Sequence, residues 1–362
     1  GTIDLIEQWN SKIIEEKAPP IKEVEDVPGL STDLVVGAEF LSVNLAYHHM
    51  QDESEIMLKD ETGDTITYTT KKIQDADTGL TCYVLTPTKV EGNGQIKDKA
   101  PMICFRGTNT SPQPMEPPCR DSNGVQKQIT GMEANFQSSK GMGESVFETK
   151  QENGVETNKG LNALIEEIDK IATPPGVKFM GHSLGGTLAE IAALEFSDKV
   201  AGVYLFQSAG ISESRHKSTL EKQEKIADKV FNFKKNGDML ARWEFASIKG
   251  YAISADTSHM ESQDIHKIHT EATFLKMKLD NMETRINEKP EVKVIVGDNI
   301  RSNTIFLQEI VLKVFQAKEV LGGISAEIIT STGTQIQKDL GLLDFKWSFA
   351  DREPSWLGSL FS

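Results

Sequence analysis

The feature that most restricts the fold of this chain is a six-residue segment, GHSLGG at 181–186, set between the apolar run GVKFM and the run LGGTLAEIAALEFS. GVKFM has the length and composition of a buried strand, and Leu184, Leu188, Ile191 and Ala192 fall on one face of a helix. A strand that passes straight into a helix at Ser183 needs a sharp turn. Gly181 and Gly185 leave room where the two elements approach, and Gly186 extends that room into the first helical turn. A serine so placed stands at the carboxyl edge of a sheet, beside the free N–H groups and partial positive charge of a helix N-terminus. In this GxSxG setting the serine is a nucleophile, and the Leu184 amide is the natural donor to a developing oxyanion. A glycine-rich turn without chemistry can carry the same letters. The reading therefore depends on whether the rest of the chain supplies the other parts in order.

The surrounding pattern predicts an α/β fold with a mostly parallel central sheet flanked by helices. Leu34, Ala38, Leu41 and Leu45 recur at helical spacing between Ser31 and Met50. Ile66 and Tyr68, then Leu80, Cys82 and Val84, alternate as two paired strands would, giving the sheet an antiparallel start. PMICFRGTNT is a buried strand that ends abruptly at Arg106, Gly107 and Thr108. A helix follows over Leu161, Leu164, Ile165, Ile168 and Ile171, stopping near Pro174, and VAGVYLF and KVFNF are further buried strands. Strands alternating with helices at this spacing argue for parallel pairing with right-handed crossovers.

Two regions break the rhythm. Residues 109–157 open with Pro112, Pro114, Pro117 and Pro118 and are too long for an ordinary connection. They are read as an insert or lid, with Met115, Met132, Phe136, Met142 and Phe147 as groups to cover a pocket. Beyond about residue 270, Leu275, Leu279, Met282 and Ile286 form one helical stripe and Ile305, Phe306, Ile310 and Val314 another. The expected division is a domain over 1–270 and a helical C-terminal extension over 271–362 packed on it. Trp347, Trp356 and Phe361 in the tail are expected to pack back onto the domain.

The 362 residues include 39 basic and 54 acidic side chains, a formal charge of −15, and the only dense basic runs are Lys71–Lys72 and Lys234–Lys235. Such a chain repels a phosphate backbone, so nucleic acid is excluded as a partner. The three cysteines, Cys82, Cys104 and Cys119, have neither disulfide-framework nor metal-site spacing. No apolar run is long enough to span a bilayer, so a soluble protein is expected. The first residues, GTIDLIEQWN, lack the form of a secretory leader but do not begin with Met, so both a cytosolic protein and an exported one with its leader removed are consistent.

FRGT at 105–108, ending an earlier strand, offers a second oxyanion donor in the Thr108 amide. Followed by GHSLGGTLAEIAA, it resembles the class 3 lipase family over roughly residues 79 to 260. The resemblance implies an α/β-hydrolase fold, a Ser-Asp-His triad, a mobile lid, and hydrolysis of acylglycerols and related esters without a cofactor. It places the acid after a later strand, where KVFNFKKNGDML presents Asp238. The order Ser, Asp, His then requires a histidine beyond Asp238, which excludes His48, His49, His182 and His216 and leaves His259, His266 and His269. The setting of His259 in DTSHMES resembles the family's, which favours it. His266, His269 and Asp264 also have a ligand-like spacing, but without HExxH or paired cysteines no metal site is expected. The predicted partner is an acyl-ester or lipid substrate, with transient contact to a membrane surface allowed by the apolar lid groups. A phospholipase, thioesterase or acyltransferase keeps the same chemistry. A lipase-like scaffold that binds lipid or protein without turnover is the alternative.

Overall fold

The computed structural model describes residues 27–47, 55–108, 118–131, 141–235, 247–255 and 292–297. Its centre is a nine-stranded mixed sheet. The strands are β1 (Glu55–Lys59), β2 (Thr65–Asp75), β3 (Leu80–Glu91), β4 (Met102–Phe105), β9 (Val177–His182), β10 (Val200–Phe206), β11 (Val230–Lys235), β12 (Gly250–Ala255) and β13 (Val292–Gly297), lying side by side in that order. Strands β1 to β4 are antiparallel to one another, β4 through β12 run parallel, and β13 returns antiparallel along β12. The antiparallel start predicted from the two alternating runs is thus present, with Ile73 facing Cys82 across β2 and β3. A mixed sheet of this order with helices fits an α/β-hydrolase fold.

Burial explains why the central strands read as unbroken apolar runs. Every residue of β4 and β9 is buried, as is all of β10 but one, because a parallel sheet is covered on both faces. Strand β1 alternates buried with more exposed positions, as an edge with one wet face does. Aromatic stacks tie the later strands together. Phe206 lies 4.8 Å from Phe233, Tyr204 5.4 Å from Phe231, and Phe231 5.7 Å from Tyr251, centroid to centroid.

Among the described residues the α-helices, in chain order, are α1 (Thr32–Glu39), α2 (Lys159–Ile171), α3 (Leu184–Glu195), α4 (Glu213–Ser218) and α5 (Leu220–Ile226). The N-terminal helix predicted from Leu34, Ala38, Leu41 and Leu45 is present but changes pitch, passing from α1 into a π-helical turn at Phe40–Asn44 and a 3-10 turn at Leu45–Tyr47. Helix α2 is capped by Asn158, whose Oδ1 accepts from the Leu161 amide at 3.0 Å. The spacing in α3 predicts one buried face, yet Leu184 through Leu194 are all buried, Thr187 and Glu190 included.

The described residues of the insert at 109–157 include regular structure. It holds a hairpin of β5 (Cys119–Arg120) with β6 (Gln126–Lys127), another of β7 (Lys150–Glu152) with β8 (Val155–Thr157), and a 3-10 turn at Glu144–Phe147. Of its expected pocket-covering groups, Met142 is buried in the core and Phe147 packs against it, while Met115, Met132 and Phe136 lie outside the described residues. The expected helical stripes at 275–286 and 305–314 and the aromatic tail also lie outside them. Between those stripes, Val292–Gly297 forms strand β13, paired antiparallel with β12.

Candidate active site

Strand β9 ends at His182 and α3 starts at Leu184, which leaves Ser183 alone to make the turn. It does so at φ 57° and ψ −123°, a conformation that L-residues adopt only at a cost on the order of 1–3 kcal/mol. The surroundings hold it there. Its N–H donates to Phe206 O at 3.2 Å, and its carbonyl accepts from Gly186 N at 3.0 Å and from Thr187 N and Ala209 N, both at 3.3 Å. The two flanking glycines are sterically required. A Cβ on Gly181 would lie 2.1 Å from Gly185 O, and one on Gly185 would lie 2.3 Å from Phe105 O. Ser183 itself is half-buried amid buried neighbours.

The second contact brings FRGT against this turn. Phe105 sits beside Gly181 in the β4–β9 register, and the Arg106 amide donates to Thr81 O at 2.9 Å. A Cβ built on Gly131 would stand 3.3 Å from Leu184 Cδ2 and 3.4 Å from Thr108 Cα, so both predicted oxyanion residues border one small space. Thr108 and Leu184 are buried, 4% and 2% exposed, and Leu184 is the first residue of α3. A helix N-terminus beside a strand-end loop is suited to stabilising negative charge on an oxygen. Asp238, His259, His266 and His269 lie outside the described residues. Strand β11 ends at Lys235, three residues before Asp238, and β12 ends at Ala255, four before His259.

No family model matches the sequence, and no curated protein matches it. Solved structures similar to it include a fungal lipase, at 13% identity over 74% of this chain and 85% of the other, with a TM-score of 0.35. A mutant form of MDLA from Penicillium cyclopium is 13% identical over 76% of this chain and 88% of its own, with a TM-score of 0.38. The mono- and diacylglycerol lipase of Aspergillus oryzae is 14% identical over 80% and 96%, with a TM-score of 0.34. At these TM-scores the likeness carries no weight for substrate or mechanism. The α/β architecture rests on strand order and direction.

Three buried side chains near the turn stand outside the residues to which the sequence assigns the chemistry. Tyr47, at the end of the N-terminal helical segment, places its hydroxyl 2.7 Å from His182 Nδ1, and a Cβ on Gly107 would lie 2.1 Å from that oxygen. Burial pushes the Tyr47 phenol well above its ordinary value, so it is a neutral O–H, with the Gly107 amide bonded to the same oxygen. Tyr47 thereby braces both the strand that leads to Ser183 and the loop that carries Thr108. Arg106 is buried beneath the loop and donates through Nη2 to the Ile129 carbonyl of the insert. Glu190, two turns along α3, is fully buried and accepts three hydrogen bonds.

Proposed function

We propose that the chain is a serine hydrolase of carboxylic esters, with lipid-type esters as its substrates. The observation that carries this reading is Ser183 itself, partly exposed and held at positive φ between β9 and α3 with the FRGT loop closed against the first helical turn. Energy stored in a strained, solvent-reachable serine among buried neighbours has no packing rationale. The motif order FRGT, GHSLGG, Asp238 and then a histidine supports the same reading, as does its resemblance to class 3 lipases.

In the proposed reaction Ser183 Oγ attacks the ester carbonyl while a histidine, His259 in preference to His266 or His269, takes its proton. Asp238 orients that histidine and stabilises the imidazolium. The carbonyl electrons move onto oxygen, and the Thr108 and Leu184 amides donate hydrogen bonds to the resulting oxyanion. Collapse expels the alcohol with the proton held by histidine and leaves an acyl ester on Ser183. Water then repeats the sequence, giving the acid and free enzyme.

A fluorophosphonate probe should label the protein at Ser183 and leave Ser183→Ala unlabelled. The same variant should lose hydrolysis of a p-nitrophenyl ester by about 10³-fold or more with an unchanged unfolding midpoint. Undiminished turnover would discard the nucleophile, and a silent Ser183 in the parent protein would favour the binding scaffold. A panel of glycerides, phospholipids and short-chain esters assigns the substrate class, with the longer acyl chains expected to be preferred.

A further inference from the structure

We propose that Glu190 is a positioning residue for this reaction, a buried carboxylate that ties the helix of Ser183 to β10, β11 and β12 and whose ionised form keeps the turn at Ser183 aligned. The inference rests on the hydrolase reading above. Its partners come from three separate parts of the chain. Glu190 Oε2 accepts from Ser208 Oγ at 2.7 Å, just past β10, and Oε1 accepts from Ser247 Oγ at 3.0 Å and Ile248 N at 3.2 Å, just before β12. Ser247 Oγ in turn accepts from Asn232 Nδ2 of β11 at 2.7 Å. One side chain thus joins α3 to β10, β11 and β12, the last two being the strands that precede the acid and the base in the chain.

As the hydrogen bonds stand, the donor count closes for the ionised form. Each hydroxyl spends its single proton on Glu190, so Ser247 is free to accept from Asn232, and Ser208 from Gly210 N at 3.2 Å. If Glu190 carries a proton on Oε2, that oxygen donates to Ser208 Oγ and the displaced hydroxyl proton has to point elsewhere. At Ser208 that disturbance is one residue from Ala209, whose N–H donates to the Ser183 carbonyl at 3.3 Å. Ser208 also lies where a Cβ on Gly186 would be, 2.6 Å from its own Cβ. A change at Glu190 therefore reaches the turn of Ser183 through two contacts.

Burial pushes the Glu190 carboxyl up to about 7, against the opposing pull of Ser208, Ile248, Ser247 and the Lys234 ammonium. Lys234 of β11 is the charged group acting on it among the described residues, since Lys249, next to Ile248, turns its ammonium to Glu224. The ionised form, which aligns the site, is then the one that burial penalises. Folding is weakened by Glu190 as pH rises from about 4.5 towards 7, because the unfolded chain has lost the proton that the folded one still holds.

That opposition separates positioning from simple structural support. Glu190→Gln removes the buried charge and imitates the protonated acid, so above pH 7.5 it should raise Tm while lowering kcat about ten-fold or more, with KM within about two-fold. In the parent protein the acid limb of log kcat/KM against pH should be steeper than unit slope where Glu190 takes up its proton alongside the histidine, and Glu190→Gln should reduce it to one. Ser208→Ala, which removes the donor to Oε2, should move the limb to higher pH. A fall of kcat and Tm together, or unit slope in both proteins, would overturn the proposal. The Tm difference is measured again with Ser183→Ala in both chains. If it persists while the parent shows neither turnover nor probe labelling, the hydrolase reading has failed; if it is absent, the account of Glu190 has failed.

Discussion

At the scale of single residues the site is a set of close approaches. Ser183 is held in an unfavourable conformation by four backbone hydrogen bonds, and glycines stand where any side chain would overlap a carbonyl. Tyr47 makes the most remote of these contacts, reaching His182 across 135 positions of sequence. Tyr47→Phe keeps the ring and its edge-on packing against His182 but deletes the hydroxyl that faces Nδ1 and the Gly107 amide. The expected cost is about 1–2 kcal/mol, read as a lower urea midpoint with an unchanged m-value. Because Gly107 precedes Thr108, kcat should fall several-fold as well, with KM little changed. An unaltered kcat would confine Tyr47 to stability.

At the scale of elements, the turn between β9 and α3 was legible because period and punctuation coincide: a buried run, two spaced glycines, then helical spacing. The antiparallel pair and strands β4, β10 and β11 were legible for the same reason. Strand β1 is a half-buried edge of five residues, EIMLK, with too few alternations to stand out, and GYAISA of β12 carries small residues that mute its pattern. The hairpins of the insert are held by turns instead of a core, so hydrophobic period could not reveal them. In β5–β6 the Ser122 amide and hydroxyl both donate to Asp77 Oδ1, tying the insert to the turn between β2 and β3. Tyr47 and Glu190 were not legible because their significance lies in partners distant in sequence, and a glutamate inside a helix reads as a solvated face. The insert is pinned elsewhere by Arg215 of α4, which binds the buried Glu144 through Nε and Nη2, each at 2.7 Å, and reaches Glu195 through Nη1 at 2.7 Å. Arg215→Met leaves Glu144 buried without that partner and should cost about 2–4 kcal/mol, whereas adding Glu144→Gln should restore part of the loss. Urea unfolding of the two single variants and the pair measures the coupling. Strict additivity would mean that the ion pair does not clamp the insert.

At the scale of the whole molecule, stability depends on pH through two opposed groups of carboxyls. Asp60 would be raised by its burial, but hydrogen bonds from Lys99 and Thr62 bring it below the ordinary value of 3.8. Asp64 is lowered by its hydrogen bond from Lys99, and Asp77 is lowered by Ser122 despite partial burial. Their stabilisation is present above the unfolded value and is lost as pH falls through the lower folded ones. Glu190 has the opposite sign. Its folded value of about 7 stands above 4.5, so it favours the folded state in mild acid and ceases to do so as pH rises to neutrality. The formal charge of −15 acts in the same direction, since self-repulsion grows as the carboxyls ionise. Tm should therefore be highest near pH 5 and fall on both sides, steeply below about pH 3.5 and by a few degrees between about pH 5 and 7.5. Replacing Glu190 with Gln should flatten the upper slope and leave the acid one in place. Added salt should also reduce the upper slope, by screening the surface charge, but without removing the part that belongs to the buried carboxyl. A scan of Tm against pH at two ionic strengths, run on both proteins, separates the two contributions. A parent protein with its Tm maximum at pH 7 or above would contradict both the sign assigned to Glu190 and the weight given to the net charge.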